Sequence, residues 1–256
     1  MNTPVMIPLF GMELHPHRIF ESLAFFIGFR IYIKFRRKET ISEEKTVYVL
    51  IGAILGSLFG SLIVASLQDI PKLLHSINSH GLLGIFQGKT IVGGLLGGIF
   101  GVELSKKLCN QTRSTGDDMV LPLCLAMCIG RIGCFLTGIN DDTYGIPTSS
   151  VFGIDLGDGI KRHPTSLYDI AFLCCLLFVI KYFFRQKPYE GFHFALFSST
   201  YFLYRFFIEW LKPTIKPYGE MSSIQLTCLL GVLYYAIYFI YQRRRNYRAK
   251  SSVYVQ

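Results

Sequence analysis

Two arginines stand inside long apolar runs, and of all the residues in this sequence they are the best placed to do chemistry. Arg131 lies within LCLAMCIGRIGCFLTG and Arg205 within STYFLYRFFIEWL. An arginine at a bilayer centre costs about 2.5–3.5 kcal/mol on insertion scales, so each needs a partner. A phosphate suits both, because the planar guanidinium can donate two hydrogen bonds to one such group. A carboxylate is the other candidate. Glu209 stands four residues after Arg205, one helical turn away, and Glu21 and Asp169 are further carboxylates within apolar runs. Arg30 lies near the end of its run, where its stem can carry the charge to water.

A short echo adds histidines to this set. The chain reads HPHRIFESLAF over 15–25 and HPTSLYDIAF over 163–172. Each copy gives His-Pro, two residues, an apolar residue, an aromatic residue and a carboxylate. Proline fits the first turn of a helix, where its missing N–H costs nothing, and the carboxylate then falls on the second turn. His15, His17 and His163 are therefore candidate proton acceptors at one mouth of a helical assembly, near Glu21 and Asp169.

The elements that must hold these residues are apolar helices. Seven stretches, 19–35, 47–67, 90–108, 119–136, 166–184, 192–211 and 224–241, approach the length of about 20 residues that crosses a hydrocarbon core. Only 17% of the 256 residues are charged and 51% are hydrophobic, against about a quarter charged in soluble domains. The expected fold is therefore all-α, a polytopic membrane protein of about seven transmembrane helices in a single domain. Small residues in IGAILGSLFGSLIVAS and GGLLGGIFG let helix backbones approach closely in lipid. A phosphate-binding glycine loop would need a strand before it, and none is expected here.

Charge placement orients the chain. The net charge is +9, but the basic residues form short clusters between apolar runs, which fits anionic lipid and gives no nucleic-acid face. Connections after the first, third, fifth and seventh stretches hold sixteen Lys and Arg, against seven at the other end. The amino terminus is thus expected outside and the carboxyl terminus, with its RRRNYRAK anchor, in the cytoplasm. The first stretch contains Glu21 and Arg30 and lacks a small-residue cleavage site, so it is expected to remain as a helix. The outer loops 68–89 (weakly amphipathic) and 138–164 (long and polar) are expected at the periphery of the site. Six of the seven cysteines fall in apolar runs, where they act as small hydrophobes, and no histidine stands at a metal-like spacing from them.

Three blocks carry a family resemblance. GRIGCFLTGINDDTYG (130–145) resembles the GRxGNFxNGExxG signature of the prolipoprotein diacylglyceryl transferase family, RHPTSLYD (162–169) resembles its RHPSQLYE, and YFLYRFFIEW (201–210) its Y-x-x-x-R-x-x-x-E segment. GGLLGG and SSIQL match further blocks. The resemblance implies transfer of diacylglyceryl from phosphatidylglycerol to the lipobox cysteine of a secreted prolipoprotein, releasing glycerol phosphate, in a bacterial cytoplasmic membrane. It implies that Arg131, Arg205 and His163 are catalytic. Tyr201, Glu209, Asp169, Gly145, His15 and His17 would hold substrate, with Asp141 or Asp142 near the position of the signature glutamate. No metal or organic cofactor is called for.

Departures from the pattern bear on the acceptor. Val92 stands where the family has a histidine, Cys134 replaces the signature asparagine, Ser166 replaces a glutamine, and two extra residues lie between Phe135 and Gly145. Val92 cannot move a proton. The alternatives are a paralogue with a different acceptor and a non-enzymatic lipid-binding protein or transporter. Buried charges without a task are costly, which weighs against the second.

Overall fold

The computed structural model of the chain describes residues 5–9, 12–37, 42–140, 143–186 and 188–253. Every apolar stretch is helical: α1 (Pro16–Phe35), α2 (Glu43–Gln68), α4 (Ile91–Leu108), α5 (Val120–Thr137), α6 (Thr165–Phe183), α7 (Phe192–Ile208) and α8 (Ser223–Val253). Between α2 and α4 lies a further helix, α3 (Ile70–His80), in the segment read as weakly amphipathic. Among the described residues, four helical segments are long and apolar enough to cross a membrane: Glu43–Gln68, Gly116–Asn140, Thr165–Phe183 and Ser223–Asn246. Two antiparallel hairpins, β1 (Ile7–Leu9) with β2 (Met12–Leu14) and β3 (Ile154–Asp155) with β4 (Lys161–Arg162), flank the helices.

The helix limits follow local chemistry. His-Pro starts α1, with Pro16 in its first turn and His15 as its N-cap. Pro164 takes the N-cap position of α6. Gly138 ends α5 at φ 64°, a conformation that glycine adopts without the Cβ penalty. The last helix runs well past residue 241, because the Arg, Lys and Ala residues of its tail are good helix formers.

The chain packs into two units, Met1–Thr46 with Asn110–Phe197 and Phe207–Ile215, and Val47–Cys109 with Ser198–Phe206 and Lys216–Gln256. In the first, α1 lies on α5 through small residues. A Cβ on Gly133 would stand 2.6 Å from the Phe20 Cβ, and one on Gly28 would stand 3.1 Å from the Ala126 Cβ. The amide of Val5 donates to the Leu136 carbonyl at 3.1 Å, tying the first hairpin to α5. Asp117 accepts from the amides of Gly191 (3.0 Å) and Phe194 (3.2 Å), which satisfies donors at the start of α7.

In the second unit α2 and α4 meet glycine on glycine. A Cβ on Gly56, Gly60, Gly97 or Gly101 would collide with a backbone carbonyl oxygen of the facing helix. Such contact is how helices associate in lipid, where no hydrophobic force drives them together. Ser223 at the head of α8 donates its hydroxyl to the Val64 carbonyl at 2.9 Å and its amide to Gln68 Oε1 at 3.0 Å. Tyr218 donates to the Leu67 carbonyl at 2.9 Å, so the end of α2 is held by the head of α8 and the turn before it.

Candidate active site

The first unit builds a charged centre between α5 and α6. Arg131 Nε lies 2.7 Å from Asp169 Oδ2, and both side chains are buried, at 5% and 1% exposure. The echo had set Asp169 on the second turn of its helix, and there it meets the arginine of the neighbouring helix. Arg131 also reaches Cys134, one turn along α5, with Nη1 3.9 Å from Sγ. The same sulfur stands 3.8 Å from His17 Nδ1. Gly133 makes this possible, since only its bare backbone admits Phe20 and the first turn of α1 so closely. Asp169, Arg131, Cys134 and His17 thus form one string from α6 through α5 to α1.

A second group lies in the outer loop. The amide of His163 donates to the Ile146 carbonyl at 3.1 Å, and the amide of Ile146 donates to the Leu211 carbonyl at 2.8 Å. A Cβ on Gly145 would collide with the His163 carbonyl oxygen, so that residue must be small. His163 Nδ1 is 3.2 Å from the Tyr168 hydroxyl, which fixes the ring. Glu209, fully buried just before Leu211, accepts from Thr214 Oγ1 at 2.9 Å. Gly145, His163 and Glu209 therefore belong to one hydrogen-bonded segment.

The rest of the loop is pinned by its own charges. Arg162 Nη2 is 2.6 Å from Asp158 Oδ2, and its guanidinium lies 5.2 Å from the Tyr144 ring centre. That guanidinium holds the Asp158 carboxyl below its ordinary range. Asp155 is lowered as well, chiefly by the hydrogen bond from the Gly157 amide and also by that from Gly159.

In the second unit, Tyr201 and Arg205 are both buried and stand one turn apart on α7. Gln225 donates to the Phe206 carbonyl at 3.3 Å, while Ser222 and Gln225 cap each other, amide to Oε1 at 3.0 Å and amide to Oγ at 3.1 Å. The SSIQL block is thus a reciprocal cap that starts α8 beside α7. Val92 is buried at 1% exposure. Asp141 and Asp142 lie outside the described residues.

Sequence reading singled out Arg131, Asp169 and His17 without joining them. It treated Cys134 as a small buried residue, and the structure makes it the link between His17 and Arg131. Thr214 and Arg162 were not singled out, and nothing short of a fold would reveal their partners. His15 lies on a different face of α1 from His17, among the residues of a groove.

A helical chain with membrane-length apolar segments and arginines buried among its helices has the make-up of an integral membrane protein. Comparison with known proteins gives the family. A profile of the family "Prolipoprotein diacylglyceryl transferase" matches residues 4–241, and the chain belongs to that family of transferases. A phosphatidylglycerol–prolipoprotein diacylglyceryl transferase of Clostridioides difficile is 30% identical over 247 residues, covering 94% of this chain and 96% of its own. The protein of the same name from Clostridium tetani is 27% identical, covering 91% and 97%. That of Campylobacter hominis is 28% identical, covering 90% and 86%.

Proposed function

We propose that this protein transfers the diacylglyceryl group of phosphatidylglycerol to the lipobox cysteine thiol of a secreted prolipoprotein. The observation that carries the proposal is the family match over 4–241, with the Arg131 block inside it and that arginine buried against Asp169. In the reaction the acceptor sulfur bonds to the glyceryl carbon, the carbon–oxygen bond to phosphate breaks, and glycerol phosphate leaves with the electron pair. Arg131 and Arg205 neutralise that leaving group, most strongly where water is excluded. Asp169 fixes the Arg131 fork, while Tyr201 and Glu209 orient the headgroup. The thiol proton passes to a histidine near the mouth, His163, His15 or His17, since Val92 cannot take it.

The setting is a bacterial cytoplasmic membrane. In this reading all seven long helices, α1, α2 and α4–α8, cross it as one domain, with the amino terminus outside and the carboxyl terminus in the cytoplasm. The basic loops support this through their charge asymmetry. A lipid-binding or transport role is not favoured.

The test uses purified protein in vesicles of acyl-labelled phosphatidylglycerol, mixed with a lipobox peptide. Label is expected on the peptide cysteine, and none with Arg131→Ala or Arg205→Ala. Failure of a folded sample to transfer would overturn the reading.

A further inference from the structure

Two thiols meet in the seam between α5 and α6, and the transfer reaction uses neither. Cys128 lies on α5 three residues before Arg131, and Cys174 lies on α6 five residues after Asp169. The Arg131–Asp169 ion pair sets the register of the two helices. Each cysteine therefore falls about one turn further from the connecting loop than the charged residue of its own helix. There the side chains of Cys128 and Cys174 share a hydrogen bond. Cys128 is half-buried and Cys174 is exposed, while Cys124, one turn back on α5, is buried.

The pair lies at a matched depth. Cys128 stands nine residues before the end of α5 at Thr137, and Cys174 nine residues after the start of α6 at Thr165. At 1.5 Å per residue that is roughly 14 Å along each helix, close to the middle of a hydrocarbon core of ~30 Å. Both helices belong to segments long and apolar enough to cross a membrane. The sulfur of Cys174 thus opens on acyl chains, and an oxidant that reaches it must dissolve in hydrocarbon.

We propose that Cys128 and Cys174 form a redox-active dithiol, oxidised to a disulfide by a quinone dissolved in the membrane. Two S–H bonds break and one S–S bond forms. The two protons and two electrons pass to the quinone, which leaves as quinol. A disulfide needs its two sulfurs side by side, and the shared hydrogen bond supplies that. The new bond closes a covalent loop from 128 to 174, which contains Arg131, the outer loop and Asp169. Such a cross-link stabilises mainly by constraining the unfolded chain, and more so for a long loop. Oxidation therefore staples the arginine-bearing helix to the helix that carries its carboxylate. The proposal does not depend on the transfer reaction.

The full chain, reduced and reconstituted in vesicles, is given a ring-substituted benzoquinone with a decyl tail, which has no open ring carbon for a thiol to add to. Free thiols are then blocked with iodoacetamide, and the chain is mapped by mass spectrometry. One quinol per chain is expected, with two fewer alkylated cysteines and a Cys128–Cys174 cross-link within one chain. The thermal midpoint is expected to rise by about 5–10 °C and to fall back on treatment with a lipid-soluble phosphine. Cys174→Ala is expected to abolish both effects and Cys175→Ala to keep them; both positions are exposed, so neither change opens a core cavity. Oxidised glutathione, confined to water, is expected to leave the pair reduced. Equal oxidation by glutathione would overturn the assignment to a membrane quinone. A cross-link through Cys124, Cys134 or a second copy of the chain would overturn the pair, as would a folded sample that yields no quinol.

Discussion

At the scale of single residues, the Arg131–Asp169 pair is buried, and the chemistry proposed for it can be pulled apart from its part in stability. Removing one partner of a buried pair leaves an uncompensated charge, at a cost of about 3–5 kcal/mol. Asp169→Ala is therefore expected to lower the unfolding midpoint in detergent sharply. The apolar double variant Arg131→Met with Asp169→Leu removes both charges at similar volume, and such replacements are often neutral or stabilising. It is expected to recover thermal stability while transfer of labelled lipid stays absent. Recovery of transfer along with stability would show that the pair only fixes packing. Much of this pair was legible in the sequence, because a lone arginine in an apolar run demands a partner. Which carboxylate answers was not, since Asp169 lies on another helix and only packing selects it over Glu21. Cys134 was illegible for a similar reason: its two contacts depend on the close approach of α1 that Gly133 permits.

At the scale of elements, glycine position decides which contacts can tolerate a side chain. On α4, Gly97 faces Gly56 so closely that a Cβ would collide with its carbonyl oxygen, whereas a Cβ on Gly94 would stand 3.6 Å from the nearest atom. Overpacking a close seam costs about 1–3 kcal/mol, while alanine in place of a helical glycine gains up to about 1 kcal/mol in helix propensity. Gly97→Ala is expected to destabilise and Gly94→Ala to be neutral or stabilising, as read by thermal unfolding in one detergent. Equal effects would mean that the α2–α4 seam is looser than its geometry. The glycine runs announced this seam in advance, and the helices were legible because apolar length is a strong signal. The limits of α1 and α8 were less so, because His-Pro lengthens one and a basic tail that favours helix lengthens the other.

The outer loop is an element of another kind, pinned in large part by its charged side chains. The carboxyls of Asp155 and Asp158 are held below their ordinary value of 3.8 by the Gly157 amide and the Arg162 guanidinium. A lowered value in the folded state means that the ordering is present above pH 3.8 and is lost as pH falls through the folded values. Hydrogen exchange over 154–162, corrected for intrinsic rates, is expected to show protection at pH near neutral that disappears in strong acid. Asp158→Asn is expected to weaken protection at neutral pH and flatten this dependence. Protection that does not change with pH would mean that the β3–β4 backbone pairing alone holds the loop.

At the scale of the whole molecule, the question is how many helices cross the bilayer. Among the described residues, four qualify by length and composition alone. The other three long helices fall short for identifiable reasons: α1 carries Arg18, Glu21, Arg30 and Lys34, α4 carries Glu103, Lys106 and Lys107, and α7 has 17 residues and carries Arg205. Lysines and arginines near helix ends reach the interface, so they do not forbid crossing. If only the four most apolar helices crossed, the chain termini would lie on one side; with seven crossings they lie on opposite sides. Charge asymmetry in the loops favours seven, with the carboxyl end inside. Alkaline phosphatase, active only outside, is expected to work when inserted in 68–89 or 138–164 and to be silent after residue 246. Fluorescent protein fused at that last point is expected to shine. Active phosphatase at the carboxyl end would instead require an even number of crossings with the amino terminus outside.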